Sequence, residues 1–236
     1  MRQINYIFVE GNIGAGKSTL LRHIADRLAV LLPPPPRNHI VVVAEPVDRW
    51  TDPEANVLAA LYADPVRNAM LFQTHALVTR VEAVDAAIDA AAALSDEQTC
   101  VWAVCERSIY SDAHIFVRAC PLSDLERAVY YQWFQAWSPR LYSGNIVATV
   151  YLQCQPETCL RRIDERSRAE EKNSVPLVYL RELHALHESQ FVRKALGWNQ
   201  SPCLLISTET DSVAQSAHKA ARAIVATTDN GTDGVH

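Results

Sequence analysis

Residues 10 to 19 read EGNIGAGKST, and Gly11, Gly16, Lys17 and Ser18 satisfy the spacing G-x-x-x-x-G-K-[ST]. Such a loop cradles phosphate with backbone N–H groups, because its glycines let the chain curl around an anion and the next helix presents its N-terminus. Lys17 can reach the outer phosphates of a nucleoside triphosphate, and the Ser18 hydroxyl can hold Mg²⁺. Asn12, Ile13, Gly14, Ala15 and Thr19 complete the cradle. Residues 4–10 (INYIFVE) read as a buried strand feeding the loop, and residues 20–32 (LLRHIADRLAVLL) carry helical periodicity after it. Three of the chain's seven glycines fall here, which separates this loop from an ordinary tight turn.

Four further clusters narrow the chemistry. Glu45, in AEPVDRW (44–50), falls at the carboxyl end of the second expected strand, the rim where open parallel sheets bind ligands. It can take a proton from a substrate hydroxyl during phosphoryl transfer; a solvated strand-end glutamate is the plainer alternative. Glu106 and Arg107 open ERSIYSD (106–112) after the third strand. Glu106 can bind Mg²⁺ directly or through water, and Arg107 can clamp a phosphoryl oxygen or a carboxylate. A structural ion pair explains the two equally well. Arg162, Arg166 and Arg168, in RRIDERSRAEE (161–171), can close over a triphosphate and neutralise developing charge. They can also simply pair with glutamates on a helix face, at little energetic gain. Gln73 and Arg80, in FQTHALVTR (72–80), share one helix face. The Gln73 amide suits the edge of a base, and NVLAALY (56–62) supplies an apolar wall.

Positioning these groups requires an α/β fold. Strands are expected at 4–10, 40–45, 99–106, 146–153 and 203–207, all continuous apolar runs as in strands buried on both faces. Helices are expected at about 17–31, 54–63, 65–94, 123–137, 156–168, 176–194 and 212–226. The alternation predicts a five-stranded, doubly wound parallel sheet in one domain over residues 1–226, followed by a frayed tail at 227–236. PPPP (33–36) ends the first helix in a stiff surface loop.

Composition limits the partners. The net charge of −5 offers no footprint for nucleic acid or an anionic membrane, so phosphate binding must be local. No apolar run approaches the length of a membrane span, and with the first strand expected from about residue 4 a signal or transit peptide is not expected. Six cysteines without a C-x-x-C pair point to reduced thiols inside a cell. His184 and His187 are three apart on a helix and read as a solvated face rather than a metal pair.

Together these motifs resemble the deoxyribonucleoside kinase family, which includes the deoxycytidine, deoxyguanosine and mitochondrial thymidine kinases and the insect multisubstrate enzyme. EGNIGAGKST, EPV-x-RW, NVL-x-x-x-Y, FQT, ERSIYSD, YLQ-x-x-PETCL-x-RI, R-x-R-x-EE and YL-x-x-LH-x-x-HE follow in family order over roughly residues 3–210. The resemblance implies a P-loop kinase fold with an arginine-rich lid, using ATP and Mg²⁺ to phosphorylate the 5′-hydroxyl of deoxynucleosides for nucleotide salvage. By the same likeness Glu45 is the base on that hydroxyl, Arg107 its partner and Glu106 the Mg²⁺-associated acid. Tyr62 and Glu171 bind the sugar 3′-hydroxyl, and Gln73 pairs with the base. Leu58, Phe72 and Phe116 line the base slot, and Arg162, Arg166 and Arg168 form the lid. Residues 208–212 sit by adenine, although they depart from the family there.

Ala76, Arg80 and Asp112 look like the deoxycytidine/deoxyguanosine type. The resemblance therefore implies a preference for deoxycytidine or purine deoxynucleosides, with thymidine possible. Ser167 stands where relatives often carry glycine in the lid. The likeness also implies a homodimer through helices at about 65–93 and 123–137, where Trp133, Phe134 and Trp137 belong either to that face or to the core. A cytoplasmic protein of cellular or viral origin is expected. A thymidylate or other nucleoside-monophosphate kinase is the alternative enzyme, though Glu171 would repel an acceptor phosphate. A GTPase lacks its N-K-x-D motif here, and a non-catalytic nucleotide sensor would have no need to keep Lys17, Glu45 and Arg107.

Overall fold

Five short apolar runs pair into one parallel sheet in the computed structural model; the three inner strands are largely buried on both faces, as expected, whereas the two edge strands have one neighbour each and leave Val42 and Leu205 exposed. The strands are β1 (Ile4–Gly11), β2 (Asn38–Val43), β3 (Cys100–Glu106), β4 (Asn145–Gln153) and β5 (Cys203–Ser207), in the order β2-β3-β1-β4-β5. The structure describes residues 2–229 apart from 34–36, 95, 97, 143, 167, 169, 172 and 173. Ser167, most of the proline loop and the chain beyond residue 229 lie outside the described residues.

Side-chain alternation along β1 explains its position at the centre. Tyr6 and Phe8 join one core with Cys105, Tyr151 and residues of α4 (Pro65–Leu94) and α7 (Asp124–Leu141). Ile7 and Val9 join a second core with Leu20 and Ile24 of α1 (Lys17–Leu31) and Ala217 and Ile224 of α10 (Val213–Asp229). Because every strand pair is parallel, all carboxyl ends meet at one rim. Strand order reverses about β1, so a crevice opens there at the phosphate-binding loop.

Several element bounds differ from expectation for local reasons. Strand β2 ends at Val43, so Glu45 lies two residues beyond it. A short helix not among those expected, α2 (Val47–Trp50), follows β2, and helix α3 (Val57–Ala63) starts after residue 54 because the Asn56 side chain caps it, accepting from the Ala59 N–H at 2.9 Å. Helix α7 runs past residue 137 and carries Pro139 in its last turn. Helix α8 (Pro156–Arg166) stops short of residue 168. Helix α10 continues through residues 227–229, which were expected in the tail, and Thr227 Oγ1 caps back onto the Ile224 carbonyl at 2.6 Å.

Two expectations need larger correction. The segment after β3 has no counterpart among the expected helices, yet it forms α5 (Ile109–Ser111), a π-helical turn (Asp112–Phe116) and α6 (Val117–Ala119). It is buried on nearly all sides, including Ile109, Ala113, Ile115 and Val117, so it shows no amphipathic period. His187, expected on a solvated face, is instead buried at the end of α9 (Leu177–His187). Its ring stacks on Tyr151 at 5.8 Å, and its Nδ1 lies 2.6 Å from the Leu183 carbonyl oxygen. All six cysteines are free in the structure.

Candidate active site

The strand-to-helix loop takes its shape from glycine. Gly14 has φ +76°, and a β-carbon there would stand 2.5 Å from the carbonyl oxygen of Cys159 in α8. Gly16 enters α1 in the left-handed region at φ +96°. Lys17 folds back over the loop, its Nζ donating to the Asn12 carbonyl at 2.9 Å. Burial, and then the nearby Arg107 charge, lower its pKa to about 8. Beside it Ser18 Oγ donates to Glu106 Oε1 at 2.9 Å. Burial and the Glu45 carboxylate push Glu106 upward, against the pull of Lys17 and Arg107. Among the described residues no three His, Cys, Asp or Glu side chains gather into a metal cluster. The hydroxyl–carboxylate pair therefore fits a hard cation that draws most of its ligands from water and phosphate, as Mg²⁺ does.

Glu45 stands opposite, between two guanidinium groups. Arg107 Nε lies 2.9 Å from its Oε1, and Arg80 Nη2 lies 3.1 Å from the same oxygen. Burial opposes ionisation, but Arg107, Arg80 and Lys17 outweigh it and hold the Glu45 carboxyl well below the ordinary carboxylate range. Arg107 is itself locked. It adopts φ +62°, its Nη1 donates to the Gly11 carbonyl at 2.7 Å, and its guanidinium lies 4.6 Å from the Phe116 ring centroid. Such backbone strain in a non-glycine residue clusters at functional sites.

The acceptor side is built on α4, whose Phe72, Gln73, Ala76 and Arg80 share a face by helical spacing. Arg80 grips Asp112 through Nε and Nη2, at 2.8 and 3.2 Å, and donates through Nη1 to the Glu106 carbonyl at 3.0 Å. The π turn sets Asp112 and Phe116 on the same wall. Leu58 and Tyr62 come from α3, and Glu171 from the segment after α8. The cavity enclosed by these groups and the loop measures about 480 Å³.

The arginines divide into two groups. Arg162 binds Thr208, with Nη1 3.2 Å from its Oγ1, and touches the Ala15 carbonyl at 3.4 Å. It thus ties the 208–212 segment to the loop. Arg168 Nη1 meets Glu171 Oε1 at 2.7 Å, and Arg166 pairs with Glu171 Oε2. One buried carboxylate therefore links the expected sugar-binding wall to the lid.

Most of the expected site residues converge on this cavity; Gly11, Asn12 and Ala15 do not line it. Asn12 and Ala15 are buried within the loop, and Gly11 supplies the carbonyl that holds Arg107. Other lining residues were not expected. Trp50 packs edge-on against Phe72 at 5.5 Å and donates from Nε1 to Thr79 Oγ1 at 2.9 Å. Val47 and Tyr179 join it, alongside Leu61 of the apolar wall expected from NVLAALY. Val47, Trp50 and Tyr179 lie inside the motifs EPV-x-RW and YL-x-x-LH, so the signal was present without an assigned role. Buried Glu10 was also missed. It accepts from Ser108 Oγ at 2.9 Å and Trp198 Nε1 at 2.7 Å, and burial lifts its pKa to about 6.

Comparison with known proteins shows which family the chain resembles in sequence. A deoxynucleoside kinase family model matches residues 7–229. Human deoxycytidine kinase is 34% identical over 220 residues, covering 84% of this chain and 79% of that one. Mitochondrial thymidine kinase 2 of Macaca fascicularis is 32% identical over 212 residues, 86% of this chain and 70% of that one. A probable deoxycytidine kinase of fowlpox virus is 36% identical over 186 residues, 77% of this chain and 69% of that one. The family model spans the phosphate-binding loop and the segments that carry Glu45, Arg80 and Arg107, and the chain belongs to the deoxynucleoside kinase family.

Proposed function

We propose that the chain transfers the γ-phosphoryl group of ATP to the 5′-hydroxyl of a 2′-deoxyribonucleoside in nucleotide salvage. The observation that carries this reading is Glu45 Oε1 held by both Arg107 and Arg80 between the loop and the α4 wall. The loop and Lys17 bind the triphosphate. Ser18 and Glu106 hold Mg²⁺, which when bound offsets charge on the phosphates. Glu45 orients the 5′-hydroxyl and takes its proton, while Arg107 fixes Glu45 and faces the transferring group. A carboxylate so strongly stabilised as an anion is a weak base. In a loose phosphoryl-transfer transition state positioning outweighs basicity, so this suits the reaction. Arg162, Arg166 and Arg168 supply positive charge over the phosphates.

On the acceptor side, Tyr62 and Glu171 bind the 3′-hydroxyl and Gln73 reads the base between Leu58, Phe72 and Phe116. The Arg80–Asp112 pair and the small Ala76 shape the wall toward the exocyclic groups, favouring deoxycytidine or purine deoxynucleosides over thymidine. The relatives include both deoxycytidine and thymidine kinases by name, so this preference rests on the pocket residues. Steady-state rates for the four natural deoxynucleosides with Mg²⁺–ATP test the assignment, and absence of turnover with all four would refute it.

The same reading makes the protein a homodimer. Leu71 and Val78 on α4 and Trp133 and Trp137 on the adjoining α7 stand exposed, whereas Phe134 is buried in the core. A second copy covers this face. No described helix is long and apolar enough to cross a membrane, and a cytoplasmic location remains part of the proposal.

A further inference from the structure

The amide of Gln73 is held from behind. Its Nε2 donates to Cys120 Sγ at 3.2 Å, and the Tyr179 hydroxyl rests against the same sulfur. Gln73 and Cys120 are both buried, and Cys120 does not itself line the cavity. The backbone that carries the sulfur is tied on both sides. The Cys120 N–H donates to the Phe116 carbonyl at 2.9 Å, and its carbonyl accepts from the Leu122 N–H at 2.8 Å and from Arg127 Nη2 at 3.4 Å. Gln73 Oε1 has no protein partner among the described residues, and it is not sealed away from the cavity.

An amide read at a base edge can turn over and exchange its donor and acceptor. The turn decides which edge it matches. Cytosine and adenine offer a ring nitrogen acceptor beside an amino donor. Thymine and guanine offer a ring N–H donor beside a carbonyl acceptor. A glutamine with no anchor serves both; one tied through Nε2 presents a single polarity. Asp112 reinforces this choice. Its oxygens take two N–H groups from Arg80 yet keep lone pairs, so an exocyclic amino group finds an acceptor on the same wall.

Resting on the kinase reading above, we propose that Cys120 is a specificity-determining positioning residue: its sulfur pins the Gln73 amide in one orientation and so favours the edge of cytosine over that of thymine. Cys120 touches no substrate and acts only through Gln73. Its effect therefore falls on the ratio between bases and on KM, with kcat little changed.

The test compares kcat/KM for deoxycytidine, deoxyadenosine, thymidine and deoxyguanosine in the wild-type chain, Cys120→Val and Cys120→Ser, with thermal melting of each. Valine is close to cysteine in size but cannot hydrogen-bond; serine retains a hydroxyl at that position. The wild type should favour deoxycytidine over thymidine. Cys120→Val should narrow the deoxycytidine-to-thymidine ratio about three- to tenfold, the worth of one net hydrogen bond. Cys120→Ser should stay within about twofold of the wild type, on the same scale. If the valine variant does not fold, Cys120→Ala, which adds no atoms, takes its place. An unchanged ratio in the variant lacking the sulfur overturns the proposal, as does a serine variant that behaves like valine or a wild type that does not distinguish deoxycytidine from thymidine. A wild-type chain inactive on all four nucleosides would instead overturn the kinase reading itself.

Discussion

Arg107 and Glu45 meet through a single pair of atoms, Nε and Oε1, 2.9 Å apart, and Arg80 reaches the same oxygen at 3.1 Å. The carboxylate that faces the 5′-hydroxyl in the proposed reaction is thus oriented by two arginines from different elements. Glu45→Gln retains the shape but loses the charge. It should lower kcat by about 10²–10⁴ while changing nucleoside KM much less. Near-normal turnover, measured beside a melting curve showing a folded variant, would remove Glu45 from the reaction.

Lys17 supplies a pH signature. Its pKa is lowered from the ordinary lysine value to about 8, so the free enzyme loses this positive charge as pH rises through that value. The kcat/KM for ATP should decline above about pH 8, since that parameter reports the free enzyme. For stability the sign is opposite. The buried charge is a cost fully present below pH 8, and unfolding releases it into water. Between pH 8 and the unfolded lysine value the unfolded chain binds the extra proton, so this group's contribution improves as pH rises. A pH–rate profile flat to pH 10 would contradict the buried lysine.

The clash at Gly14 predicts a backbone effect. An alanine there meets the Cys159 carbonyl and must adopt φ +76°. Gly14→Ala should cost about 1–3 kcal/mol of stability from strain, and it should weaken ATP binding by displacing the loop. Urea unfolding with and without Mg²⁺–ATP measures both effects.

Arg80 and Asp112 should be separable from Ala76 by stability as well as by specificity. Arg80→Met alone leaves Asp112 without its buried counter-charge and Glu45 with Arg107 as its remaining arginine, at a cost of about 3–5 kcal/mol. Adding Asp112→Ala should recover part of that loss. The triple variant Ala76→Val, Arg80→Met, Asp112→Ala should move preference toward thymidine. Base ratios in kcat/KM that stay unchanged would sink this pocket assignment.

The dimer proposal is tested with charge. Placing glutamate at Leu71 and Trp137, both exposed, should yield a folded monomer by light scattering. A wild-type chain already monomeric at micromolar concentration would end the proposal.

Much of this molecule was legible in its residue order. The five strands are continuous apolar runs, and the phosphate loop needs only glycines, a lysine and a serine at fixed spacing. The placement of Gln73 and Arg80 on one face follows from helical geometry. These are local facts, set within a turn or two of backbone. The helical stretch from Ile109 to Ala119 escaped because burial on nearly every side erases periodicity, and His187 escaped because a polar residue on a helix gives no sign of which way it faces. Only the tertiary structure decided that Arg80, 35 residues from Glu45, shares its oxygen with Arg107, and that Gln73 leans on Cys120, 47 residues away. Such contacts depend on which side chains the packing of separate elements brings within hydrogen-bond reach.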